Sequence, residues 1–296
     1  MQQNIPLAIL LQIIGSFCFA LSAYKQNKAV RRQVRTNDGK RRLTSTQLWN
    51  SMRTPRWWQG TAFMGISLGC QVTALFFAPV TVVQPVGLMA FPWSILLQAR
   101  AAHRHIPKRI HALVSMTVAA TAVFTLLVSV FASPESELQV SRVIIGAAVI
   151  YVVAAGFGTY GARGARAWRS LFWASGGAMF YGLEAALTKS LITFARQHEW
   201  ATDPMFWLIL VCLIVGSVTA GWMVQQGYAT GPADMVVASM TITSPVVAVV
   251  YGIAVLGEGQ SFTPGVGVAV VALGLIAVSG VIALTRLKAN ERPIVT

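Results

Sequence analysis

Two ionisable side chains, Glu184 and Lys189, lie inside the long apolar stretch 170–195. Charged groups inside such stretches are costly to bury and usually serve a function. Their five-residue spacing turns them about 140° apart on a helix, so they are poor partners for each other. Glu184 therefore needs water, a donor or a proton, and proton coupling suits an acid in an apolar setting. A hydrogen-bonded structural acid is the alternative. Lys189, nearer the end of the stretch, is placed to snorkel to the surface.

Neutral polar side chains lie inside other apolar stretches. Gln71 and the pair Gln225 and Gln226 lie at nearly corresponding depths of two such stretches. These groups are candidates to line a central site, with hydrogen bonding between helices as the alternative. The full set of candidate residues for a substrate or coupling ion is Glu184, Gln71, Gln84, Pro92, Gln225, Gln226, Tyr228 and Pro245.

Residue patterns for catalysis or metal binding are absent from the sequence. It has no Gly-rich phosphate loop, no Ser-His-Asp set and no paired carboxylates, so we expect no enzyme and no cofactor. His103 and His105 lie in a basic loop without a nearby carboxylate or thiolate, which argues against a zinc site. Each of the three cysteines lies in an apolar run, as small buried side chains do.

The elements that must position these residues follow from composition. Of the 296 residues, 55% are hydrophobic and 11% are charged, against about 25% charged in soluble globular proteins. So few charges cannot cover a soluble domain of this size, which excludes a cytosolic enzyme, a secreted disulfide scaffold and a disordered chain. The net charge of +14 would suggest nucleic acid in a soluble protein. In a membrane protein it reflects basic cytoplasmic loops, so we expect no nucleic-acid partner.

Nine segments are long and apolar enough to span a membrane, which predicts an all-α, polytopic fold. The first half, residues 1–132, contains 5–24, 57–78, 80–99 and 110–132. The second half, residues 133–296, contains 143–162, 170–195, 204–228, 233–256 and 264–285. The first segment lacks the basic start and the cleavage site of a signal peptide, so we expect it to be retained.

Basic residues predict the orientation. Of the 23 Lys and Arg residues, 20 fall in 25–56, 100–109, 163–169 and the tail after 285. This side is therefore expected to be cytoplasmic, in the cell membrane, with the N-terminus outside and the C-terminus inside. Loop 25–56 alone carries ten of these residues and is a candidate to bind anionic lipid head groups. A solvated topology signal is the alternative.

Four prolines reveal an internal repeat. Pro79 and Pro92 recur 153 residues later as Pro232 and Pro245. In each pair the first proline lies in a tight turn and the second is expected in mid-helix of the next span. The predicted topology inverts the two halves, an arrangement common in transporters. Because a mid-helix proline frees a backbone carbonyl, Pro85, Pro92 and Pro245 are expected to face the interior between the halves, with a purely structural kink as the alternative.

These stretches resemble the drug/metabolite transporter superfamily and its EamA-type repeat over nearly the whole chain. The resemblance rests on residues 74–81 followed by Pro92, on 227–229 through Ser244-Pro245, on Leu256-Gly257-Glu258, and on Pro264-Gly265. Phe77-Ala78-Pro79 followed by residues 83–87 is similar to the NIPA-like magnesium transporter branch. In two respects the chain departs from the superfamily pattern. It has nine predicted spans rather than ten, and no acid near 103–107 matches Glu258.

The resemblance implies a polytopic carrier that moves a small solute by alternating access between two inverted halves. The expected partners are a small-molecule or ion substrate and membrane lipids, with a homodimer as one option. A magnesium transporter is the first alternative, although the spans offer few of the carboxylates that Mg²⁺ prefers. A non-transporting membrane scaffold is the second, and the acid Glu184 inside a span argues against it.

Overall fold

The computed structural model describes residues 4–36, 53–101, 108–131, 137–165, 168–230 and 233–290. Within these residues the regular structure is entirely helical. The ten helices are α1 Ile5–Thr36, α2 Pro55–Phe77, α3 Val80–Gly87, α4 Ala90–Ala101, α5 Lys108–Phe131, α6 Val140–Arg163, α7 Arg169–Gln197, α8 Pro204–Thr230, α9 Ala233–Ala254 and α10 Pro264–Asn290.

The described helices have the length and surface of a membrane protein. Six segments are long and apolar enough to cross a membrane, namely Ile5–Ser22, Pro55–Phe77, Val80–Ala101, Lys108–Phe131, Val140–Arg163 and Pro204–Val224. Large aliphatic side chains face outward, including Val152 at 73% exposure and Val218 at 69%. A contiguous apolar surface of this kind is stable against lipid and not against water. The chain is therefore a helical membrane protein.

The first helix extends beyond the predicted segment 5–24. α1 continues to Thr36 through a stretch rich in Lys, Arg and Gln. Apolar character ends near Tyr24, but these long unbranched residues favour a helix, and neither Gly nor Pro interrupts them. Hydropathy therefore located the apolar part of the helix and not its end.

The predicted span 80–99 is two helices and not one. α3 ends at Gly87 and α4 begins at Ala90. Pro92 explains the break, because its ring clashes with the carbonyl four residues earlier, that of Leu88, and removes the amide that would bond to it. The Leu88 carbonyl instead accepts a bond from the Phe91 amide at 3.1 Å. The expectation that Pro92 lies in mid-helix is therefore wrong, since it lies in the first turn of α4.

The short helix α3 lies at the centre of the packing. Seven of its eight residues, Val80 through Val86, are buried. α1 and α5 of the first half and α9 of the second half all pack against it, and α2 and α7 touch it. Around this core, α1 packs along α2, α7 packs against α6, α8 and α9, and α5 packs against α10. A helix buried on all sides needs apolar residues all round, as the sequence VTVVQPVG nearly provides.

Candidate functional site

Two cations from α7 bind the end of α2. The Lys189 ammonium donates to the Leu75 carbonyl at 2.9 Å. The Arg196 guanidinium donates to the Phe76 carbonyl and lies 4.0 Å from the centre of the Phe76 ring. The last carbonyls of a helix have no partner within the helix and carry its negative dipole end. Lys189 and Arg196 therefore neutralise this end, and the expectation that Lys189 snorkels to the surface is wrong, because it is 4% exposed.

The carboxyl group of Glu258 binds the beginning of α3 at Val80, which is five residues after Leu75 in the chain. One oxygen of Glu258 accepts the Val80 amide and the other accepts the Thr81 amide, both at 2.8 Å. Glu258 is 7% exposed. Burial raises the pKa of its carboxyl, while the Thr81 and Val80 amides and the charge of Lys189 act in the opposite direction. The carboxylate meets the positive dipole end of α3 as an N-terminal cap from a distant part of the chain.

We call Glu258, Lys189 and Arg196 the helix clamp. All three belong to the second half of the chain, and all bind backbone groups of the α2–α3 junction in the first half. Opposite charges therefore meet opposite helix ends within one tight turn. The clamp fixes the junction between the halves of the chain through side-chain to backbone bonds.

Two glycines position Glu258 for this role. Gly257 has a φ of 73°, a left-handed conformation that lets the chain reverse directly after α9. The Glu258 amide then bonds back to the Gly252 carbonyl at 3.0 Å. A Cβ at Gly252 would lie 2.6 Å from a Glu258 carboxyl oxygen, so no larger residue fits there without moving the carboxyl. These contacts give a physical role to the sequence Leu256-Gly257-Glu258.

At its other end, α3 is bordered by polar atoms without partners. Gln12 of α1 and Gln84 of α3 are 5% and 7% exposed. Among the described residues, the Gln12 side-chain oxygen, the Gln84 side-chain nitrogen and the Trp93 indole nitrogen are buried without a hydrogen bond. The Gln12 amide nitrogen lies 3.3 Å from the place that a Cβ would occupy at Gly87. We call Gln12, Gln84, Gly87 and Trp93 the break site.

Two threonines of α5 add to this polar character. Thr117 donates to the Leu113 carbonyl one turn earlier, as is usual for hydroxyls inside helices. The Thr121 and Thr125 hydroxyls follow at four-residue intervals on the same face of α5. Both are buried and have no hydrogen-bond partner within the described part of the chain. Leu88 packs with Ala120, so this face of α5 reaches the α3–α4 break.

Glu184 lies midway along α7. It is half-buried, and its carboxyl interacts with the Ser217 hydroxyl of α8. The two face each other without a hydrogen bond of standard geometry. Ser217 is therefore the donor group that the structure places beside the carboxyl.

The remaining predicted residues are distributed over several helices. Gln84 on α3 and Pro92 on α4 are both buried. Gln71 on α2, Gln226 on α8 and Pro245 on α9 are partly buried. Pro245 lies inside the continuous helix α9, unlike its repeat partner. Several predictions lie outside what the structure describes, namely those on the side chains of Gln225 and Tyr228, on the residues His103, His105 and Pro232, and on residues 37–52 of loop 25–56.

Three residues that the structure places at these sites, Gln12, Trp93 and Glu258, were not among the predicted site residues. Gln12 and Trp93 lie in apolar helices where a lone polar group is common, so no local pattern distinguishes them. Glu258 carried a signal, because it belongs to the motif Leu256-Gly257-Glu258, but its position between two spans predicted an exposed loop residue. Its burial depends on contacts with α3, which is remote in sequence.

The comparisons with known proteins add a relative but no activity. No protein-family model matches the chain. A protein of Corynebacterium glutamicum described as uncharacterized is 25% identical over 295 residues, covering 97% of this chain and 96% of that protein. No solved structure matches the chain.

Proposed function

We propose that the chain is a secondary transporter that moves a small solute across the cell membrane by alternating access. The proposal includes nine spans in two inverted halves, an outside N-terminus and a cytoplasmic C-terminus. One observation carries it. The first part of the broken helix, α3, packs against α1, α5 and α9, and the break is bordered by buried polar atoms that have no partner among the described residues.

Physical chemistry favours transport over a scaffold at this position. Broken backbone at membrane depth is stable only inside protein or beside a watery cavity. Transporters place such breaks at their binding sites, between repeats. A buried polar group without a partner costs about 1–3 kcal/mol, a penalty that a purely structural core avoids by using apolar residues. The break site therefore fits a surface that is solvated or occupied during a transport cycle.

Proton coupling is the second part of the proposal and concerns Glu184. This acid lies midway along α7, beside Ser217 of α8. A lone acid at such a position can bind and release a proton as its surroundings change between two conformations. Magnesium transport has less support, because the described residues contain no group of three or more His, Cys, Asp or Glu side chains that could hold a metal.

The first experiment tests alternating access without knowledge of the substrate. Cys18, Cys70 and Cys212 are replaced by alanine, and Gln84→Cys is then introduced. Purified protein in oriented vesicles is exposed to a membrane-impermeant thiol reagent from either side. Alternating access predicts labelling from both sides, whereas a static scaffold predicts labelling from neither or from one. Val152→Cys, which faces outward with 73% exposure, is the control for a lipid-facing position and should not react.

The second experiment measures transport itself. Proteoliposomes are preloaded with one of a panel of amino acids, nucleosides, cationic drugs, uncharged amides or Mg²⁺, and uptake of the labelled compound is followed. A carrier predicts uptake that is accelerated by the same compound inside the vesicle. Folded protein that exchanges no member of the panel above protein-free vesicles would contradict the proposal and favour the scaffold.

A further inference from the structure

We propose that the break site binds a small uncharged carboxamide. This inference rests on the transporter proposed above and names the chemical class of its substrate. The observations are the buried amides of Gln12 and Gln84, the indole N–H of Trp93, and the break in the helix that carries the last two.

The two amides border the same stretch of the α1–α3 contact. Gln84 and Gly87 are three residues apart and therefore neighbours on one face of α3. The Gln12 amide nitrogen lies 3.3 Å from the Cβ position at Gly87, which places Gln12 against this face. α1 contacts both α3 and α4, and its Phe17 ring lies 5.5 Å from the Trp93 ring, so α1 lies along the helices that flank the break.

The unpartnered atoms define what a ligand must offer. The Gln84 nitrogen and the Trp93 indole nitrogen are donors, whereas the Gln12 oxygen is an acceptor. A carbonyl oxygen has two lone pairs and can accept from both donors, and an N–H₂ group on the same carbon can donate to Gln12. A carboxamide carries these groups side by side. Trp93 and Phe17 add aromatic surface, which suits a planar ligand.

The charges in the described part of the molecule favour a neutral ligand. Lys189, Arg196 and Glu258 are engaged at the opposite end of α3 with backbone groups of residues 75–81. Glu184 faces Ser217 on α8. The break site itself consists of two amides, a glycine and an indole, so a carboxylate or an ammonium would be buried there without a counter-charge.

The test compares nicotinamide with nicotinate. They share a planar ring and differ in an uncharged amide against a carboxylate. Equilibrium dialysis of the purified full chain in detergent measures binding of each labelled compound. We expect saturable binding of nicotinamide and at least tenfold weaker binding of nicotinate. Absence of nicotinamide binding, or equal binding of nicotinate, would overturn the proposal.

Variants locate the binding. Gln84→Leu and Trp93→Phe should each weaken nicotinamide binding at least tenfold without lowering the melting temperature, because each removes a buried N–H donor that has no partner among the described residues. The matched controls are Gln139→Leu and Trp207→Phe, which change an exposed glutamine before α6 and an exposed tryptophan of α8. A variant that binds normally would place the ligand elsewhere. A large fall in melting temperature would show a structural role instead and would overturn the assignment.

The two proposals fail in different ways. Exchange of another solute without amide binding would refute the carboxamide site and leave the transporter intact. Binding of nicotinamide at the break site without any exchange would support the site and contradict transport.

Discussion

The helix clamp makes a quantitative prediction for Glu258→Ala. The substitution removes both acceptors from the Val80 and Thr81 amides, which meet the carboxyl at 2.8 Å. Val80 is fully buried, as is Thr81, so little water is available to replace the lost bonds. The ammonium of Lys189 also loses its counter-charge.

The magnitude follows from the two amides. A buried donor left without a partner costs about 1–3 kcal/mol, so two of them cost about 2–6 kcal/mol. For a chain of this size 1 kcal/mol corresponds to about 2 °C or somewhat more in melting temperature. We therefore expect Glu258→Ala to lower the melting temperature by at least about 4 °C.

Thermal unfolding in detergent is the first assay, followed by amide hydrogen exchange read by mass spectrometry. Exchange should accelerate in peptides covering residues 78–87 more than in peptides from α5, because the clamp acts on the beginning of α3. Glu199→Ala is the matched control, since Glu199 is an exposed acid after α7 and its loss should change stability by less than about 0.5 kcal/mol. If Glu258→Ala behaved like Glu199→Ala in both assays, the clamp would contribute nothing and the reasoning would be refuted.

Four further predictions follow from other contacts. Lys189→Met should destabilise the chain by about 1–3 kcal/mol in thermal unfolding, because the Leu75 carbonyl loses its buried donor. Gly252→Ala should lower the melting temperature through displacement of the Glu258 carboxyl, whereas Gly156→Ala, which meets nothing within 4 Å, should not. Because burial raises the pKa of Glu258, the folded chain binds this proton more tightly than the unfolded chain does. The melting-temperature difference between the wild type and Glu258→Ala should therefore be largest below about pH 4 and should shrink as the pH rises through the raised pKa. In vesicles, Glu184→Gln should abolish uptake driven by a pH gradient and preserve exchange without net proton movement; equal pH-driven uptake would make Glu184 a structural acid.

Much of the fold could be predicted because it depends on local pattern. Long apolar runs mark helices wherever they occur, so the all-helical class follows directly from the sequence. The end of α1 was not predicted, because hydropathy does not register a helix that continues into polar residues. The break before α4 was not predicted either. Pro92 was expected in the middle of a continuous helix, whereas the chain separates into two helices at Leu88 and Met89.

The site was harder to predict because its partners are distant in sequence. Glu184 is recognisable as an acid in an apolar run, and Gln84 as a polar group in a proline-containing span. Glu258 and Lys189 were predicted as surface groups, because each lies near the end of an apolar segment. Both are buried because they bind the α2–α3 junction, which is remote from them in sequence. Lys189 is 114 residues from its partner Leu75, and Glu258 is 178 residues from its partner Val80.

The long separation between Val80 and Glu258 has a consequence for biosynthesis. Ribosomes add about 5–20 residues per second, so the 178 residues between the two partners take about 9–36 s to appear. During that time the first two amides of α3 are without their acceptor. The N-terminal cap of α3 therefore forms only after the residues that follow α9 have been made. A nascent chain that stops before residue 258 contains α3 without this cap, and each buried amide left without a partner costs about 1–3 kcal/mol.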